Sequence, residues 1–271
     1  MSKLTDLFEH MQRYTRDVFS DRMRKEGFSS YKGQDVHWYR LVNNEVVQAV
    51  YFVAFHAAPC TFAEIKYGCH PLFIPPIFQK SPLMKGWPDY LQASELVPDI
   101  TPDNEPYGIK NLLLYNLNNN RPYRVPDALI MCSPDQNDGL DVLEKLLPVL
   151  DENTTTVACY ELHKEIRRRV FESEISKASI MSTFFIDEAL YLEDKEIYPY
   201  CREYVKDRAW KLEANLQSGG IVPNIFKQDW ERSSVLNQVF EDDAIENYLN
   251  TFEDRAKKTL RLLERNTGIK P

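Results

Sequence analysis

"QDVHWYRLVNNEVVQAVYFVAFH", residues 34–56, decides the fold class. It is dense in β-branched and aromatic residues, the composition of a pleated, covered surface. Asn43-Asn44 sits at its middle, and asparagine tolerates the positive φ angles of a tight hairpin turn. A two-residue loop would set Val42 opposite Glu45, Leu41 opposite Val46, Tyr39 opposite Gln48 and Trp38 opposite Ala49. One face would then carry His37, Tyr39, Leu41, Val46, Gln48 and Val50. The other would carry Val36, Trp38, Arg40, Val47, Ala49 and Tyr51. Apolar residues on both faces mean that part of the hairpin is covered on both sides.

A third strand is predicted over 61–70, downstream of "HAAPC". Strand alternation puts Thr61, Ala63, Ile65, Tyr67 and Cys69 on one face and Phe62, Glu64, Lys66, Gly68 and His70 on the other. Upstream, Leu4, Phe8, Met11, Thr15, Val18, Arg22 and Met23 follow helical spacing, so a helix is predicted over 3–26. Gly27 is a left-handed stop and Phe28 can fold back on the last turn.

Residues 71–135 hold most of the sixteen prolines, so loops with short elements are expected there. "GIKNLLLYNL" (108–117) and "DALIMC" (127–132) read as strands or short buried helices. From about 138 the pattern turns helical. One helix is "DGLDVLEKLLPVL", with Pro148 near its end. A second is "TTTVACYELHKEIRRRVFE", with a Thr cap and a stripe of Val157, Tyr160, His163, Ile166 and Val170. Others are predicted near 177–192, 196–216 and 226–240. The last spans "DAIENYLNTFEDRAKKTLRLLER", capped by Asp242 or Asp243, with Ile245, Leu249, Phe252, Ala256, Leu260 and Leu263 on one face. "QSGGIVPN" (217–224) is a break between helices. The reading is an α+β fold: an N-terminal helix, a small antiparallel sheet, then a mostly α-helical C-terminal half. Domains are expected at 1–135 and 136–271.

The chain has 271 residues, 43% of them hydrophobic, enough for a full core. Its net charge of −8 disfavours nucleic acid and anionic membranes and suits a basic protein partner. Five cysteines without regular spacing read as reduced thiols of a cytoplasmic protein. The charged N-terminal residues lack the apolar core of a signal peptide. No stretch approaches the roughly 18 apolar residues of a membrane span.

His56, Cys60, Cys69 and His70 are the obvious metal candidates. Adjacent strand residues point apart, so Cys69 and His70 cannot share an ion without a bulge, and no metal or cofactor is expected. Glu64 and Lys66 share a strand face, as carboxylate and lysine do in one class of metal-dependent nuclease. Asp35 is the earlier acid such a site would need. These three are the catalytic candidates, against the alternative of a solvated ion pair. His37, Trp38, Tyr39, Arg40, His56 and His70 are candidates to line a ligand groove on the aromatic hairpin. Arg167–Arg169 spread around a helix and face Glu161 and Glu165, as on a solvated face. Phosphate-loop, dinucleotide, nucleophile-elbow and H-E-x-x-H motifs are all missing.

"RKEGFSSYKGQDVHWYRLVNNEVVQAVYFV" with "CTFAEIKYGCHPLF", residues 24–73, resembles an uncharacterised bacterial family of unknown function. The matching elements are Gly27-Phe28, Trp38-Tyr39-Arg40, Val46-Val47 and Thr61-Phe62. The resemblance implies a cytosolic bacterial α+β protein and supplies no active-site residues. The leading reading is a non-catalytic protein that binds a protein partner or small ligand. The alternative is a metal-dependent hydrolase or nuclease on the Glu64/Lys66 face.

Overall fold

The computed structural model describes residues 13, 15–31, 34–57, 60–74, 77–79, 90–92, 129–131, 138–172, 183–220 and 224–271. Through 51–67, 165–172 and 224–229, among others, it describes the backbone alone. The fold is α+β with a helical C-terminal half. Two compact units emerge. The first comprises Met1–Cys159 with Lys257–Pro271, and the second Tyr160–Ala256. The division expected near residue 135 lies outside the described residues, as does the segment 108–117.

The first unit opens with helix α1 (Ser20–Lys25). Gly27 adopts φ +79° and the amide of Phe28 donates to Met23 O at 3.0 Å, which closes the helix in a left-handed turn. The earlier part of the predicted 3–26 helix is helical at 13 and 15–18, and 1–12 lie outside the described residues. Strands β1 (Ser29–Tyr31), β2 (Gln34–Val42), β3 (Val46–Ala57), β4 (Cys60–Pro71) and the short β7 (Leu129–Met131) pair antiparallel in that order. A separate ribbon joins β5 (Ile77–Gln79) to β6 (Tyr90–Gln92). The segment 127–132 therefore resolves to a strand over its described part.

The hairpin register differs from the sequence expectation by one residue. Val42 pairs with Val46, Leu41 with Val47, Tyr39 with Ala49 and Arg40 with Gln48. Asn43 and Asn44 both take φ 53°, and Glu45 N donates to Val42 O at 3.0 Å. The turn is the expected asparagine turn, but Glu45 stays out of the ladder. A one-residue slip moves every later side chain to the other face. Gln48 thus joins Trp38, Arg40 and Cys69, and Ala49 joins His37 and Tyr39.

Glu45 leaves the ladder because it is used elsewhere. Its carbonyl accepts from Leu72 N at 2.9 Å. Its carboxylate accepts from Thr156 N at 2.6 Å, the first residue of α3 (Thr156–Glu172). A carboxylate at a helix N-terminus satisfies an orphan donor and opposes the positive end of the dipole. Thr155 Oγ1 caps the same end through Ala158 N at 3.2 Å. Asn43 Nδ2 donates to Thr154 O at 3.2 Å.

Helix α2 (Asp138–Glu152) buries Leu143, Leu147 and Leu150 at helical spacing and meets β4 and β7. At its C-terminal end Leu150 O accepts from Asn153 N at 3.0 Å, and the wholly buried Gln48 adds further donors. Gln48 Nε2 donates to Leu150 O at 2.6 Å and to Asn153 O at 2.8 Å. On α3 the buried stripe is Thr156, Cys159, Tyr160, Leu162 and His163, while Val157 is 55% exposed. The predicted stripe is therefore rotated away from Val157.

The second unit carries α4 (Thr183–Tyr191), α5 (Tyr198–Gln217) and α6 (Asn224–Glu241). The single helix expected after residue 243 is two: α7 (Ile245–Leu249) and α8 (Phe252–Thr267). Asp243 is no cap. It takes φ 52°, and Ala244 stands at the N-terminus of α7. Thr251 Oγ1 donates to Tyr248 O at 2.7 Å between the two helices, an alternative to the helical ladder.

Gln48→Leu should lower the stability of the first unit by about 2–4 kcal/mol, because it removes the hydrogen bonds of a buried amide to Leu150 O, Asn153 O and the Arg40 guanidinium. Urea unfolding followed by circular dichroism measures this. A loss below about 0.5 kcal/mol would show that Gln48 is a passenger.

Candidate functional site

The candidates named from the sequence all lie on strands β2, β3 and β4. Trp38 is fully buried and its Nε1 donates to Asp35 O at 3.2 Å. The Arg24 guanidinium lies 5.7 Å from the Trp38 ring. Tyr39 is fully buried and its ring lies 6.4 Å from that of Tyr31. Arg40 donates to Gln48 Oε1 at 2.6 Å, to Glu26 O at 3.1 Å and to Asp151 Oδ1 at 2.5 Å, and it stacks over Phe28 at 4.7 Å. These contacts make a filled clasp rather than an open groove. The Asp35 carboxylate is engaged by Arg16 at 3.3 Å and Arg24 at 3.8 Å.

Register assembles His37, Glu64, Lys66 and His70 on the face opposite Trp38 and Arg40, and leaves His56 on the Trp38 face. Lys66 pairs with Tyr51, which pairs with His37. Glu64 lies between Val53 and Leu129, so it occupies an interior strand. His70 pairs with Val47 on the same face, and His56 pairs with Thr61 near the strand ends. At about 4.8 Å per strand, the Cα atoms of His37 and Lys66 stand about 10 Å apart. The side chains of His56, Glu64 and Lys66 are outside the described residues. His70 is buried with Nδ1 2.8 Å from Pro71 O. A carbonyl only accepts, so the proton sits on Nδ1. His37 is partly exposed, but its Nδ1 is shut off from solvent and burial lowers its pKa to about 4. Among the described residues no group of three or more His, Cys, Asp or Glu is placed to hold a metal ion.

The residues that sequence reasoning missed lie in the second unit. Every residue of α4 from Thr183 to Leu190 is buried, including the neighbouring acids Asp187 and Glu188. Asp187 accepts from Tyr248 Oη at 2.7 Å, Arg232 Nη2 at 2.5 Å and Arg255 Nη1 at 3.1 Å. Arg232 also donates to Thr183 Oγ1 at 3.1 Å. Its guanidinium lies 4.6 Å from the Phe184 ring, and that of Arg255 lies 4.6 Å from Tyr248. Glu188 Oε2 lies 2.8 Å from Nδ1 of the buried His163. A third carboxylate, Asp194, accepts from Tyr160 Oη at 2.8 Å and Lys164 Nζ at 2.5 Å.

The electrostatics match these contacts. Burial, then the hydrogen bond to Asp194, pushes the Tyr160 hydroxyl far above the usual phenol range. Burial, then the charge of Asp187, does the same to Tyr248. Both therefore stay protonated donors. Burial works against the charge of Asp194, but hydrogen bonds from Lys164 and Tyr160 outweigh it and its pKa is lowered. These carboxylates act as internal anchors. The only sequence signal was an Asp-Glu pair inside the apolar run "TFFIDEALY".

The surface of this unit is different. Residues 160–256 hold 20 carboxylates against 13 Lys and Arg, so nearly the whole net charge resides here. Residues 241–254 contain six acids and no Lys or Arg, and Glu241, Asp242, Asp243, Glu246, Glu253 and Asp254 are all exposed. Tyr191, 49% exposed, stacks on the buried Phe252 with centroids 6.2 Å apart. An exposed aromatic beside carboxylates has the composition of a polar-rimmed interface. No family model, curated protein or solved structure matches this chain. The class it defines is therefore set by its own geometry: an α+β protein with an acidic helical unit.

Two outcomes are expected. Asp187→Ala strips the buried anchor from two arginines and a tyrosine and should cost about 3–5 kcal/mol. Chemical denaturation will show whether it does. His37 has a folded pKa below its unfolded value of 6.5, so its contribution is present above pH 6.5 and is lost as pH falls toward 4. The loss should reach at most about 3 kcal/mol. Melting curves across that window should steepen for the natural chain relative to His37→Gln, and parallel curves would refute the assignment.

Proposed function

We propose that this chain is a non-catalytic binding protein whose acidic second unit engages a basic protein partner. The observation that carries the reading is the placement of charge. The first unit has 21 acids against 20 Lys and Arg, whereas the second is strongly acidic. The stretch from Glu241 to Asp254 presents its carboxylates outward with no interleaved cation. Such a field steers a cationic partner and repels polyanions. Among the described residues no helix is long and apolar enough to cross a membrane. A cytoplasmic place, and kinship with the uncharacterised bacterial family that residues 24–73 resemble, belong to this same reading.

A second reading is favoured by one observation: the register brings the Glu64 and Lys66 positions onto the face of His37 and His70. On that reading the chain is a metal-dependent hydrolase. If Mg²⁺, Mn²⁺ or Zn²⁺ raises the melting temperature by several degrees, and Glu64→Ala abolishes the rise, the non-catalytic reading loses.

The binding test uses poly-L-lysine as a probe. Asp242→Asn, Asp243→Asn and Glu246→Gln together should weaken binding at least about fivefold in calorimetry at about 50 mM salt. Asp17→Asn, Asp21→Asn and Glu152→Gln remove the same charge from exposed sites of the first unit. They should weaken it less than about twofold. Equal losses would mean bulk charge alone, and the site would be abandoned.

A further inference from the structure

Helix α5 has a buried stripe of Cys201, Tyr204 and Val205. On its outer side, Glu203, Lys206, Trp210, Glu213 and Gln217 follow one another at spacings of three and four, and all five are exposed. Trp210 is 65% exposed, which is unusual for the side chain that gains most from burial. A three-four spacing keeps these five side chains on one face of the helix, the face that a second helix would meet. The occupant follows from the order of the side chains along the seam.

Lys206 lies four residues before Trp210 and Glu213 three after it. At 1.5 Å per residue these are about 6 Å and about 4.5 Å from the tryptophan along the axis. Glu203 and Gln217 lie seven residues away on either side, about 10.5 Å each. A second copy of α5, turned antiparallel about a two-fold axis at Trp210, brings Lys206 of each chain level with Glu213 of the other. It also brings Glu203 level with Gln217, whose Nε2 donates to Glu213 Oε1 of its own helix at 2.9 Å and has a second hydrogen to give, and it sets the two tryptophans against one another. A parallel pair would stack Lys206 on Lys206 and Glu213 on Glu213. The seam is therefore self-complementary in one orientation only, the property of an isologous contact.

Charge within the helix permits the approach. Residues 198–217 hold Arg202, Lys206, Arg208 and Lys211 against Glu203, Asp207 and Glu213. With four bases against three acids, α5 lets two copies of an acidic unit meet with little like-charge repulsion. We propose that the chain self-associates through this face, as a two-fold dimer with Trp210 at its centre. A single helix pair falls below the roughly 800 Å² per partner of a standard interface, so the dissociation constant should be on the order of 10–100 µM.

Sedimentation equilibrium of the full chain between about 5 and about 500 µM tests this. A monomer–dimer equilibrium is expected, weakened at least tenfold by Trp210→Ala. Lys206→Glu alone and Glu213→Lys alone should each weaken it several-fold. The two together should restore it to within about twofold, because the swapped charges again face one another across the axis. All three positions are exposed, so the variants should fold, and circular dichroism verifies this. A chain that stays monomeric at the highest concentration overturns the proposal. So does a dimer indifferent to Trp210→Ala, or a double swap no better than either single change.

Discussion

The first unit depends on the contact between one hairpin and the junction of α2 with α3. Helix ends carry orphan amides and carbonyls, and burying such an end without partners is costly. Here the hairpin supplies the partners. Glu45 caps the start of α3, Gln48 satisfies the end of α2, and Asn43 binds the loop between them. Arg40 ties the same amide to α1 and to Asp151. Of the residues that first suggested a ligand groove, Arg40 helps to seat helices on the sheet and Trp38 is buried within the unit. Trp38 and Arg40 are occupied by the fold itself.

This contact also explains what could and could not be read from the sequence. The strands, the asparagine turn, the glycine stop at Gly27 and most helices of the second half follow from local patterns. The hairpin register does not, because the reason Glu45 leaves the ladder is a helix more than a hundred residues away in sequence. Similarly, spacing draws the α3 stripe through Val157, while burial selects Cys159 and Leu162 beside the expected Tyr160 and His163. Spacing predicts one continuous last helix, because nothing local announces the break at Asn250–Thr251, where Thr251 Oγ1 donates to Tyr248 O. Asp187 shows the same limit at the candidate site. Its partners Tyr248, Arg232 and Arg255 are on other helices, so the acids in "TFFIDEALY" look out of place until the fold brings cations to them.

The second unit separates its carboxylates into two populations. Those on α4 are buried and each meets a hydrogen-bond partner. Those between α6 and α8 are exposed and share one sign. Two of the exposed acids, Glu253 and Asp254, stand in the first turn of α8. Farther along lie Lys257, Lys258, Arg261 and Arg265. Acids at the start and bases toward the end oppose the helix dipole at both poles. The sign of the charge changes where the chain leaves the second unit.

That crossing at residues 256–257 has a consequence for how the protein is made. The first unit is discontinuous: residues 257–271 belong with residues 1–159, and Thr259, Leu263 and Asn266 in this returning segment are buried. The second unit is thus an insertion, and its termini close a long loop in the first. Loop-closure entropy falls on whichever unit assembles last. If the insertion folds first, its own helices bring residues 160 and 256 to a fixed separation, and the returning segment finds its place as a short tether. The first unit stays incomplete until residues 257–271 are available, whereas the insertion, residues 160–256, precedes them along the chain.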